Sequence, residues 1–263
     1  MIEFLLWLPL WALALVLNLW LMGFSLVGLW AFRRWIMPRL RLDTNATLFY
    51  GAAVMQSAMV LYGLVAALTA VSVWTRHSQV SDTVSAEATA IAGLWRDLGG
   101  YPAPQRDAMR DVLRGYTLQV IQEAWPEQMK SRIPRAGVAW MNRFEAQLLV
   151  FEPATEGQKI LHAQTLGAYN RMVEARRQRL DAITTGLPGV MWFVLLPGAM
   201  GCLLLSICFP VEDGRFHAIL VTGLSGFVAM VLFVIISLDR PLQGAMAVTP
   251  ASYQLVHDQL MKR

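Results

Sequence analysis

The sequence predicts an all-α membrane protein: four transmembrane helices in two hairpins, with a helical soluble domain inserted between helices 2 and 3. Three observations predict this. Phe4–Phe32, Ala46–Trp74, Ile183–Val211 and Ala218–Leu238 contain no Asp, Glu, Lys or Arg. Each exceeds the roughly 20 apolar residues that cross a hydrocarbon core, where a helix satisfies every peptide group within its own segment. Charge is segregated, with most acidic and basic residues lying between Arg76 and Ala182. Within that polar stretch the apolar residues recur at steps of three and four, which is helical spacing.

In chain order the elements follow from local signals. The N-terminus, Met1-Ile2-Glu3, is acidic, and the apolar run after it is longer than the 7–15 residues of a signal-peptide core. The first helix is therefore expected to stay in the mature protein. Arg33-Arg34-Trp35-Ile36-Met37-Pro38-Arg39-Leu40-Arg41 closes the first hairpin, with Arg and Trp suited to the headgroup region. Asp43-Thr44-Asn45 can cap the second helix. No proline interrupts the chain after Trp74, so this helix is expected to continue into the polar region as far as Gly99-Gly100. Val84, Ala88, Ile91, Trp95 and Leu98 form its apolar face there.

After Pro102 and Pro104 a further helix points Met109, Val112, Leu113, Tyr116 and Val120 inward, and Pro126 and Pro134 are expected to break it. A short helix carries Met141, Phe144 and Leu148 and ends before Pro153. A last one runs from about Glu156 to Ile183, with Ile160, Ala163, Ala168 and Met172 as its stripe, and leads into the third membrane helix across Gly186-Leu187-Pro188. The loop Phe209–His217 makes the third and fourth helices a tight hairpin. Leu238-Asp239-Arg240-Pro241 stops the fourth helix. The expected segments are 1–75 (first hairpin), 76–182 (soluble domain), 183–238 (second hairpin) and 239–263 (tail). Arginines flank the membrane segments on both sides, so the positive-inside rule leaves the orientation open.

Several chemistries lack their residues. There is no Gly-rich phosphate loop, His-Glu-x-x-His or Gly-x-Ser-x-Gly, so no enzyme and no cofactor are expected. His77, His162, His217 and His257 are scattered, and no metal site is expected. Cys202 and Cys208, both in the third apolar stretch, are read as buried small residues rather than a disulfide. Glu123, Glu127, Glu152 and Glu156 read as a solvated face. The net charge of +4, without a basic run, suggests no nucleic acid. No acid or base sits mid-membrane, which argues against ion-coupled transport.

The second helix is more informative. Gln56, Ser57, Gly63 and Thr69 lie among small residues that either let helices approach closely or line a narrow aqueous path around an axis. Packing alone is the plainer reading. Asn18, the lone amide of the first helix, is expected to find an interhelical partner. Asp239 reads as an interface anchor or as the partner of an arginine at the domain–membrane junction. Arg176 and Arg179, three apart on one helix, are expected to bring a guanidinium to Glu87 or Asp239.

Tyr62 through Trp74, Glu87 with Leu94-Trp95, Trp125-Pro126, Glu174-Ala175-Arg176-Arg177-Gln178-Arg179-Leu180, Pro188-Gly189-Val190-Met191-Trp192, and Leu238-Asp239-Arg240-Pro241 with Gly244 and Pro250 occur in this order. In order and spacing the set resembles the bestrophin-like membrane proteins, over roughly Tyr50 to the C-terminus. Leu242 departs from the family's usual Phe, and Ala124 from a common second acid before Trp125. Bestrophins are pentameric chloride channels with two helices, a helical cytosolic domain and two more helices. The resemblance therefore implies a homo-oligomeric, multi-pass protein of the cell membrane that passes ions, with the lipid bilayer as its other partner. It also puts the polar domain on the cytoplasmic side. The bestrophin acidic cluster for calcium has no counterpart beside Asp239, so calcium gating is not implied. Gln56, Ser57, Gly63 and Thr69 are then the pore-lining candidates, and Glu87, Arg176, Arg179, Asp239 and Arg240 the candidates for the domain–membrane junction. The alternative is a membrane-anchored helical scaffold or sensor without conduction.

Overall fold

The computed structural model describes residues 8–39, 44–209 and 211–262. Leu40, Arg41, Pro210, the Asp43 cap and the Met1–Glu3 terminus lie outside them. Among the described residues every regular element is helical, and four helices are long and apolar enough to cross a membrane. The chain divides into two compact units: Met1–Thr75 with Leu187–Asp239, and Arg76–Gly186 with Arg240–Arg263.

The apolar unit holds α1 (Leu10–Ala31), the first part of α2 (Thr44–Asp97), α7 (Gly189–Ile207) and α8 (Gly214–Leu238). The third membrane helix is shorter than its uncharged stretch. Pro188 takes an extended conformation and starts the helix at Gly189, as the backbone constraint of proline and of the residue before it requires. The main neighbour of α1 is α8, not α2. Leu21 packs with Ala199, Leu203, Val228, Ala229 and Leu232 in an apolar core between α1, α7 and α8. The Ser25 and Ser225 hydroxyls, both buried, hydrogen-bond across α1 and α8 at 2.6 Å. Asn18 donates within its own helix: Nδ2 bonds the Ala14 carbonyl at 2.8 Å, while Oδ1 lies beside Gly226 of α8. A short amide can satisfy itself on the preceding turn. At the end of α1, Arg33 donates to the Val211 and Glu212 carbonyls, at 3.1 and 2.9 Å. Cys202 is buried as expected, but Cys208 is exposed.

The polar unit contains the rest of α2, α3 (Ala103–Gln119), α4 (Trp125–Met129), α5 (Gly137–Val150), α6 (Glu156–Asp181) and α9 (Ala251–Val256). The expected apolar face of α2 is buried throughout, from Val84 to Leu98, and a 3-10 turn at Leu98–Gly100 ends the helix at the glycine pair. The inward residues of α3 and α5 are also buried. Pro126 does not break its helix as expected. A π-helical turn, Val120–Ala124, joins α3 to α4, and Pro126 sits in the first turn of α4. A locally wider turn and an N-terminal position both tolerate the missing N–H.

The α6 stripe is only half as expected. Ala168 and Met172 are buried, but Ile160 and Ala163 are exposed, while Thr165, Tyr169 and Arg179 turn inward. Thr155 and Gln158 form a capping box at the α6 start. The residues after Pro241 are part of this unit's core. Gly244 turns the chain at φ 79°, a conformation that suits glycine, and Leu242, Tyr253 and Met261 join the domain's apolar cluster.

Candidate functional site

In the apolar unit, α2 has two unlike faces. Tyr62, Ala66 and Val73 pack against Leu195 of α7 and Ile235 and Leu238 of α8. Their spacing of four, then seven, follows one stripe of a helix that turns about 100° per residue. Half a turn away, Ser57, Leu61, Leu64, Leu68 and Val71 are exposed on the protomer; Leu64 is 57% exposed and Leu68 63%. The four pore candidates therefore separate. Gln56 and Ser57 are exposed, and Ser57 Oγ donates to the Ala53 carbonyl at 2.8 Å. Gly63 borders a cavity between α2 and α8. Thr69 belongs to the packed stripe: it is 1% exposed, and its Oγ1 donates to the Val65 carbonyl at 2.8 Å. A side chain enclosed by its own protomer cannot line a path outside it, which corrects the reading of Thr69 as pore-lining.

In the polar unit the structure brings Glu87 and Arg179 together. Arg179 Nε donates to Glu87 Oε2 at 2.7 Å, and Nη2 to Oε1 at 3.2 Å. Tyr116 donates its hydroxyl to Oε1 at 2.6 Å. Glu87 is 0% and Arg179 1% exposed, so this is a fully desolvated, bidentate pair. The guanidinium also lies over the rings of Trp125 and Tyr253, 5.9 and 5.8 Å from their centroids. Burial, and then the Glu87 charge, push the Tyr116 and Tyr253 phenols well above their usual 10. Burial, the largest single influence, would lower Arg179, but the Glu87 carboxylate together with Tyr253 and Tyr116 outweighs it and holds the guanidinium charged. α2 supplies the acid, α6 the base, α3 Tyr116, α4 Trp125 and α9 Tyr253, so five helices meet at one ion pair.

The remaining junction candidates sit elsewhere. Arg176 is half-buried, with Nη2 close to Gly137. Asp239 follows the last residue of α8 and accepts from the Leu187 N–H at 2.6 Å, and Arg240 lies against Gly186. The sequence reading passed over Tyr116 and Tyr253 as members of the polar cluster. Tyr253 carried one signal, as the one Phe, Tyr or Trp residue after Asp239.

A family model for the bestrophin-like domain matches residues 19–253. The chain belongs to the bestrophin-like family. The match takes in most of α1, which the motif resemblance had left out. No curated protein matches the chain. Among solved structures, a bacterial bestrophin homologue from Klebsiella pneumoniae superposes with a TM-score of 0.73 at 12% identity, covering 94% of this chain and 97% of that one. A point variant of that homologue gives 0.73 at 10% identity, covering 95% and 98%. A structure described as a membrane protein gives 0.71 at 10% identity, covering 95% and 97%. At such identities the likeness is one of fold. This bestrophin-like chain therefore has the all-helical bestrophin fold while most of its side chains differ from those of the solved proteins.

Proposed function

We propose that this protein is a homo-oligomeric ion channel of the cell membrane, a multi-pass protein whose second helices surround a common axis. One observation carries the reading: α2 is the least enclosed of the four apolar helices. Only 11% of its membrane window is buried, against 28–39% for the other three. Three helices wrap one another and α2 is left at the margin, where other copies can reach it. Its bare face then turns to the axis, with Ser57 toward one end and Leu61, Leu64, Leu68 and Val71 as an apolar constriction that gates by dewetting. The chain order of two helices, domain and two helices is taken as two inserted hairpins, with the domain in the cytoplasm. The Glu87–Arg179 pair holds the domain's helices in register, and Asp239 ties the end of α8 to the chain entering α7.

Reconstitution into liposomes tests this by ion flux and oligomer size. Leu64→Ser and Leu68→Ser, which wet the constriction, are expected to raise flux, and Ser57→Leu to lower it, with the assembly unchanged in size. Thr69→Leu is expected to damage packing and assembly instead. If the parent conducts and the three α2-face variants conduct like it, α2 is not the wall. If the parent carries no flux under any gradient, the scaffold reading takes over. Sidedness has its own measurement: a cysteine at Gln105 should resist a membrane-impermeant thiol reagent in intact cells, and labelling there would put the domain outside.

A further inference from the structure

The polar unit has a cavity of about 300 Å³, bordered by Arg76, Gln79 and Thr83 of α2 and by Gln178, Asp181 and Thr185 at and after the end of α6. Its depth follows from the chain. Arg76 comes just after Trp74, an exposed indole of the kind that marks the headgroup layer. Thr185 comes just before α7, and Pro241, which also lines the cavity, just after α8. Headgroups add roughly 5–7 Å to each side of a 30 Å hydrocarbon core. Arg76, about 3 Å further along the helix than Trp74, stands at the level of lipid phosphates and amines.

Arg76 and Asp181 line the same cavity, yet their side chains form no ion pair or hydrogen bond among the described residues, with each other or with a third group. Arg76 Nη1 is enclosed by protein without an acceptor, so water compensates this half-buried guanidinium only in part. The neutral groups around the pair already donate elsewhere. Thr83 Oγ1 donates to the Gln79 carbonyl at 2.9 Å, Thr185 Oγ1 to the Asp181 carbonyl at 2.6 Å and Gln178 Nε2 to Glu174 Oε1 at 3.0 Å. Their oxygens keep lone pairs that accept. One guanidinium, one carboxylate and several acceptors suit a molecule with a phosphate at one end and a primary ammonium at the other. A choline group has no N–H for a carboxylate and is held by aromatic cages, whereas no aromatic residue lines this cavity. At about 30 Å³ per water-sized group the volume holds on the order of ten such groups, against about eight non-hydrogen atoms in phosphoethanolamine. We propose that this cavity binds the phosphoethanolamine headgroup of a membrane lipid, with the phosphate on Arg76 and the ammonium on Asp181.

The test is native mass spectrometry of the purified full chain in a non-ionic detergent, titrated in turn with dioleoyl phosphatidylethanolamine, phosphatidylcholine and phosphatidylglycerol. It reads no flux, so its outcome is separate from that of the channel reading. Phosphatidylethanolamine is expected to bind about three- to tenfold more tightly than the other two, the range of one hydrogen bond at a partly exposed site. Arg76→Gln should weaken all three lipids, because each presents a phosphate. Asp181→Asn should remove the preference for phosphatidylethanolamine and leave phosphatidylcholine binding as it was. The Asp181 side chain is exposed, so this variant carries the test if Arg76→Gln alters oligomer size. Equal affinities for the three lipids in the parent would overturn the proposal, as would a preference that survives Asp181→Asn. Free phosphoethanolamine should not displace the lipid at equal concentration; displacement there would overturn the lipid assignment in favour of a water-soluble ligand.

Discussion

Arg179→Met is the sharpest perturbation of the soluble domain. It leaves the Glu87 carboxylate, at 0% exposure, with the Tyr116 hydroxyl as its one remaining hydrogen-bond donor among those observed. Removing one partner of a buried pair costs about 3–5 kcal/mol, because the other charge stays behind without compensation. Against a usual stability of about 5–15 kcal/mol this is a large share. At roughly 2–4 °C per kcal/mol for a protein of this size, the transition should fall by about 10 °C. The assay is far-ultraviolet circular dichroism melting in one detergent, with Lys159→Ala as control. Lys159 and Glu156 form an exposed pair, 57% and 83% accessible, and should contribute less than about 1 kcal/mol. The double variant Glu87→Leu/Arg179→Met removes both charges and should recover most of the loss, since a well-packed apolar substitute can replace a buried pair. If Arg179→Met melts within a degree or two of Lys159→Ala, the pair does not hold the domain. If the double variant is as unstable as the sum of its single changes, the cost is packing and not charge.

Two further tests concern the same domain. A Cβ at Gly115 would run into the Trp140 ring, so Gly115→Ala should destabilise by about 1–3 kcal/mol, with partial relief when Trp140→Ala is added; equal melting of Gly115→Ala and parent would refute the contact. The raised phenols of Tyr116 and Tyr253 give a pH dependence whose sign is fixed. An unfolded tyrosine titrates near 10 and the folded ones well above it, so their contribution is fully present below pH 10 and is lost as the pH rises further. Tyr116→Phe should therefore shrink the stability difference between pH 8 and pH 11, and an unchanged difference would count against its burial beside Glu87.

Much of the architecture was legible in the residues alone. A stretch without charge for 20 or more residues has one solution in lipid, a helix, so the four helices long and apolar enough to cross a membrane follow from composition. The buried faces of α2, α3 and α5 follow from period, because each face is apolar and faces one core. Where period misled, the cause was local chemistry. The inward face of α6 carries Thr165, Tyr169 and Arg179 in place of plain apolar residues, and the apolar Ile160 and Ala163 lie exposed, so the apolar period does not mark the buried face. Pro126 looked like a break because the π turn before it leaves no mark in composition. That Arg179 would meet Glu87 was an expectation with an alternative partner. The choice depended on helices far apart in sequence closing around one carboxylate, and so did the docking of Tyr253 beside it. The division of α2 into a packed stripe and a bare one was likewise hidden. Both faces are built from the same small and apolar residues, and only the position of α7 and α8 sends Thr69 inward and leaves Leu64 and Leu68 uncovered.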